Sequence, residues 1–305
     1  MITSIIFSKD RALQLDLTLK SIKRNFPQSS EQVVIYDCSD GEYEKSYEIL
    51  KTEHPNVAFN RQTPANDGGL FLDVFRCIRG AGHAPNIYTC FFTDDCIVYR
   101  EVTFTQNEIT KLFYVPVKDS MGNDVHFSCI SLRLGQNTIQ RDYGDGVLNP
   151  DAVPNVSSVG AFLAWNRTSI PVGGYWSYAL SVDGHIFQKE CILEFCKELM
   201  VLYDTGAFDW QQTPNEFESK LQRFWFDLPT GMACLPESCV VNSPNNRVQE
   251  MAPNAYGTEF SYPQESLNKK FTEGCRINLE GIDFQDIVCP HQEIDIMKGL
   301  YNELF

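Results

Sequence analysis

The chain has 305 residues, 43% of them hydrophobic and 21% charged, with a formal net charge of −15. That length holds one large α/β domain or two closely joined halves, and the composition excludes a disordered chain. The acidic balance excludes a nucleic-acid backbone as partner, because affinity there comes from Lys and Arg neutralising phosphates.

Apolar runs fall far short of the ~20 residues that cross a bilayer. A strand starts within the first residues, so the expectation is a cytoplasmic chain with neither signal peptide nor transmembrane segment. The eleven cysteines form no C-x-x-C pair and are expected to be reduced, small core residues. The sequons at Asn155 and Asn166 are then chance matches.

Residues 2–7 are apolar and predict a first strand, followed by Ser8-Lys9-Asp10-Arg11. Beyond it Leu13, Leu15, Leu17 and Leu19 alternate as in a strand, while Leu15, Leu19, Ile22 and Phe26 share one helical face. Straight-chain helix formers and a cap from Ser8 or Asp10 favour a helix, closed by Pro27. Residues 32–36 predict a second strand ending in Asp37-Cys38-Ser39-Asp40-Gly41, and 42–50 a helix. A short strand at 57–60 leads to the Asn66-Asp67-Gly68-Gly69 break and a helix at 70–78. Residues 87–93 predict a fourth strand running into Asp94 and Asp95. This alternation predicts a parallel sheet with crossover helices, whose ligands sit beyond the carboxyl ends of the strands. The polar clusters at 8–11, 37–40, 66–69 and 93–95 all fall there.

After Arg100 the alternation stops. Strands are expected at 125–134 and 159–165, a loop at 144–154, and a helix from Gly184 or His185 to Tyr203, ahead of Gly206. The division expected is a donor half at 1–100 and an acceptor half at 101–305 within one compact catalytic domain.

Two adjacent carboxylates at a strand end repel each other, a cost that a shared Mn²⁺ or Mg²⁺ relieves while leaving positions for substrate phosphates. A solvated acidic turn is the plainer alternative. Arg247 could clamp a diphosphate in two bonds or only rim a loop. Tyr175, Trp165 and Trp176 could wall a sugar or pack in the core.

The Ser8-Lys9-Asp10-Arg11, Asp37-Cys38-Ser39-Asp40, Asn66-Asp67-Gly68-Gly69 and Phe91-Phe92-Thr93-Asp94-Asp95 segments together resemble the GT-A glycosyltransferases, family 2-like. The resemblance implies an α/β fold, a mostly parallel sheet flanked by helices with a mixed α+β acceptor half. It implies a nucleotide-diphosphate sugar as donor and a saccharide or other hydroxyl as acceptor, with inversion. Asp37 would face the nucleoside, with Ser8, Asp10 and Arg11 in the same pocket and Asp94 beside them. Asp95 holds the last position of the family's metal motif. Gly173-Gly174-Tyr175-Trp176 and the later Asp183-Gly184-His185 are similar to the segment that supplies a catalytic base, here Asp183. An aspartate before a helix also serves as an N-cap. His291 would join the metal shell, or be an ordinary surface or packing histidine like His185. A nucleotidyltransferase acting on a sugar phosphate and a non-catalytic nucleotide-sugar binder are the alternatives. The first usually carries a glycine-rich loop after strand one, which Ser8-Lys9-Asp10-Arg11 lacks.

Overall fold

Strand β1 (Ile2–Lys9) sends Ile5 and Phe7 into one apolar layer and Ile2 and Ile6 into another. A strand buried on both faces belongs at the centre of a covered sheet. In the computed structural model, which describes residues 2–64, 67–80, 87–118, 124–142, 146–205, 213–248 and 256–302, it does. Helix α1 (Ala12–Asn25) leads to β2 (Ser29–Asp37), α2 (Gly41–Glu53) to β3 (Ala58–Arg61), and α3 (Gly69–Gly80) to β4 (Tyr88–Thr93). β3, β2, β1 and β4 lie side by side in that order, all parallel.

The sheet continues beyond β4 into the second half of the chain. The strand His185–Gln188 pairs antiparallel with β4, and Phe127–Ser131, Gly231–Cys234, Phe162–Asn166 and Ser157–Val159 follow outward. Of the nine strands, all but His185–Gln188 and Phe162–Asn166 point the same way. The fold is thus α/β with a mostly parallel sheet, helices covering both faces.

Three expectations need correction. The helix expected from Gly184 begins only at Lys189 and runs to Asp204, because Gly184 turns the chain at φ 69° and His185–Gln188 pairs with strands on both sides. Two-sided backbone pairing outweighed the helical pattern. Helix α1 has no side-chain cap: Asp10, at φ 56°, turns its carboxylate to the N–H and hydroxyl of Ser39 at 2.8 and 2.5 Å. The loop expected at 144–154 includes Leu148–Pro150, paired antiparallel with Gln140–Asp142. Asn66 and Gly206 lie outside the described residues; Gly68 and Gly69, at φ 108° and 57°, make the turn into α3.

Candidate active site

The carboxyl ends of β1, β2 and β4 form one edge of the sheet, and the chain entering His185–Gln188 reaches the same edge because that strand is antiparallel. Asp183 is thereby carried to β4, with Gly184 N–H donating to Phe91 O at 2.7 Å. A further strand, Val240–Asn242, pairs with Cys96–Val98 and places Asn242 opposite Cys96. His291 is bridged to Asn242 through the backbone.

A cavity of about 820 Å³ opens at this edge. Ile35, Asp37, Arg61, Gln62 and Pro64 line one end, and Ser8, Lys9, Arg11, Thr93, Asp94 and Asp95 its floor. Asp183, Asn242, Arg247, Tyr256, His291 and the Thr213–Pro214–Asn215 segment also line it. Of Ser8, Asp10, Arg11, Asp37, Asp94, Asp95, Asp183, Arg247 and His291, Asp10 alone is not in its lining; it braces the end of β2 through Ser39.

The aspartate pair is unequal. Asp94 is 3% exposed, and both its oxygens are occupied. Oδ2 accepts from the Ser8 hydroxyl at 2.8 Å and Lys9 N–H at 3.1 Å, and Oδ1 from Arg11 Nη1 at 2.9 Å. Burial pushes its pKa up to about 6 despite Arg11, with Asp95 adding to the rise. Asp95 is more open: Arg11 Nη1 lies 3.1 Å from Oδ2, and the Thr93 hydroxyl 2.7 Å from Oδ1. Arg11 is itself anchored by Asn246, through Nε to the side-chain oxygen at 2.7 Å and Nη2 to the carbonyl at 2.5 Å. With these bonds made, Arg11 serves the two aspartates rather than a ligand.

Asp183 precedes a strand, so the helix-cap alternative does not apply. Its Oδ1 lies 2.9 Å from the Thr93 hydroxyl, and its Oδ2 3.2 Å from Arg133 Nη1 and 3.4 Å from His291 Nε2. Burial alone would raise its pKa; the His291 and Arg133 contacts outweigh it, and the carboxylate is held well below its ordinary range. Asp37, by contrast, is over a third exposed and pairs with Lys9 at 3.1 Å, a surface contact that a ligand can replace at little cost. Arg247 lies over the Tyr256 ring at 4.8 Å.

The remaining candidates belong to the core. Trp165 and Trp176 pack edge to face at 4.9 Å with both indole N–H groups donating to carbonyls, and neither lines the cavity. His185 is fully buried with Nδ1 3.1 Å from Ala179 O, and burial pushes its pKa down to about 3, leaving it neutral. Sequence reasoning did not single out Arg133, Thr93, Asn242 or Asn246. Asn246 stands in the Asn245-Asn246-Arg247 run, and Thr93 adjoins the aspartates; nothing local marks Arg133.

Asp95 and His291 line the cavity with side chains 15% and 28% exposed, and would offer a divalent cation an oxygen and, with Nε2 facing Arg133, the remaining ring nitrogen. Asp94 is the less open of the two carboxylates, its side chain 4% exposed and enclosed by Ser8, Lys9 and Arg11. Among the described residues, the one group of three potential ligands lying mutually within 4.8 Å is Asp16, Glu53 and His54. These already have cationic partners: Lys20 reaches Asp16 at 2.7 Å, and Arg276 holds both oxygens of Glu53. That group is an ion-pair network outside the cavity.

No family model and no curated protein matches this chain. Among solved structures, S. aureus TarS (residues 1–349) is similar at 14% identity and a TM-score of 0.44, over 78% of this chain and 59% of that one. A longer S. aureus TarS structure is similar at 14% and 0.42, over 78% and 36%. GalNAc-T7 with UDP, GalNAc and Mn²⁺ is similar at 16% and 0.44, over 90% and 48%. The chain therefore spans less than two thirds of the length of each. Among the described residues, no helix is long and apolar enough to cross a membrane. The α/β fold places its polar residues at the carboxyl edge of the parallel β3–β2–β1–β4 unit.

Proposed function

We propose that this chain is a glycosyltransferase, moving a sugar from a nucleotide-diphosphate donor to an acceptor hydroxyl. The observation that carries the reading is one cavity shared by Asp37, Asp95, Asp183 and His291, residues from four separate segments gathered at a parallel-sheet edge. In this reading Ile35 and Pro64 flank the nucleoside, and Asp37 accepts hydrogen bonds from its base or ribose. Arg247, in the cavity lining, meets the diphosphate. A divalent cation held by Asp95 and His291 would neutralise charge on the leaving diphosphate. The acceptor oxygen attacks the anomeric carbon, the bond to the diphosphate oxygen breaks, and Asp183 takes the hydroxyl proton. A carboxylate held ionised is a weak base, so that transfer comes late, once the attacking oxygen has become acidic. Inversion at the anomeric carbon follows from a single displacement.

Calorimetric titration with UDP, GDP and dTDP, with and without Mn²⁺, tests the donor side. One of them is expected to bind, and Asp37→Ala to weaken it by about 1–3 kcal/mol while leaving pyrophosphate binding unchanged. Asp95→Ala is expected to abolish the Mn²⁺-dependent part of the binding. Indifference of the folded protein to all three nucleotides would sink the reading. A non-catalytic binder would take up the donor and transfer nothing, so turnover separates it from an enzyme.

A further inference from the structure

We infer that Arg133 is the positioning residue of this site, fixing the Asp183 carboxylate in the orientation that an acceptor hydroxyl meets. The inference rests on the glycosyl-transfer reading above. Arg133 lies just beyond the strand Phe127–Ser131, and Leu132 N–H donates to Gly184 O at 2.8 Å. Backbone bonding therefore sets the Arg133 and Asp183 segments side by side.

The guanidinium is held on several sides. Its Nη1 lies 3.2 Å from Asp183 Oδ2 and 3.2 Å from His291 Nε2, and the side chain is 3% exposed. It sits over the Tyr175 ring at 5.1 Å, and Tyr175 stacks on His291 at 5.8 Å with 16° between the planes. One nitrogen with two hydrogens can serve both Asp183 and His291, a geometry that suits a rigid planar fork. The other carboxylate oxygen lies 2.9 Å from the Thr93 hydroxyl, whose single proton it shares with Asp95 Oδ1 at 2.7 Å. Without Arg133, Oδ2 would keep only the longer His291 contact, and a buried anion would lose its counter-charge. Arg133 itself is not in the cavity lining, so its effect reaches substrate through Asp183.

The test is steady-state transfer by the full chain, using a nucleotide sugar that the wild type turns over. Arg133→Ala is expected to lower kcat about 100-fold, the order expected of a misplaced reacting group, with donor KM within about threefold. Guanidinium chloride at about 10 mM should restore roughly tenfold of that loss by refilling the vacated position, which a purely structural role would not show. Arg133→Lys keeps the charge on a flexible stem and should lose about tenfold in kcat at unchanged donor KM. Wild-type kcat in either variant overturns the inference, as does a loss in Arg133→Ala that guanidinium leaves unmoved. Should Arg133→Ala fail to fold, Arg133→Lys decides. A wild type that transfers no sugar overturns the glycosyl-transfer reading, and this inference with it.

Discussion

Asp94 and Asp95 look interchangeable as letters and both line the cavity, yet Asp94 is enclosed by Ser8, Lys9 and Arg11 while Asp95 is the more open, 15% exposed against 4%. Removing Asp94 leaves the buried Arg11 only the more open Asp95 and strips the Ser8 hydroxyl and Lys9 N–H of their acceptor, a loss of about 3–5 kcal/mol. Asp94→Ala is accordingly expected to destabilise the fold by that amount. Asp95→Ala, which leaves Arg11 its Asp94 contact, should cost about 1 kcal/mol. Urea denaturation of the two variants checks this, and equal losses would refute the division of labour. The strand-end rule made Asp37, Asp94 and Asp95 legible in the sequence, because each follows an apolar run at its carboxyl end. It could not separate anchor from open ligand, since that depends on Arg11 being held by Asn246, 235 positions away. Arg133 was illegible for the same reason, its partners lying 50 and 158 positions off with no motif around it.

The elements read best where a short apolar run is bounded by polar turn residues, as in β1 and β4 of the parallel unit. Helix α1 carried a misleading strand-like alternation because Leu13, Leu15, Leu17 and Leu19 are all within 2% of full burial. It packs against α2, the helix Gln264–Thr272 and the strand Cys275–Ile277, so an apolar residue suits nearly every face. The helix Pro214–Leu221 shows how an element conditions the site from behind. Its Glu218 accepts from Val182 N–H at 3.0 Å, next to Asp183. Burial, then the Asp183 charge, pushes Glu218 up to about 7 from its ordinary 4.5. A folded pKa above the unfolded one means the folded state binds the extra proton between those values. The stability from that proton is full below about pH 4.5 and is lost as pH rises through about 7. Glu218→Gln mimics the protonated form and keeps the acceptor for Val182. Its melting temperature should match the wild type near pH 4.5 and exceed it near pH 8. A difference that stays constant with pH would show that Glu218 does not titrate in this way.

At the scale of the whole molecule, the chain carries a net charge of −15 while the cavity is balanced. Lys9, Arg11, Arg61 and Arg247 in its lining are matched by Asp37, Asp94, Asp95 and Asp183. An anionic nucleotide approaching from solvent therefore meets a repulsive outer field before any local attraction, and that field is the part salt screens most. The Debye length shortens from about 30 Å at 0.01 M to about 8 Å at 0.15 M salt. Close contacts inside the cavity are screened much less than the distant surface charge. Association of a nucleoside diphosphate should therefore quicken about two- to threefold between those salt concentrations, opposite to the slowing that a basic cleft shows. Stopped-flow measurement with a fluorescent nucleotide in Mn²⁺-free buffer separates the two behaviours. Association that slows as salt is added would mean that the arginines at the cavity dominate the field the ligand feels, and that the acidic surface contributes nothing to its approach.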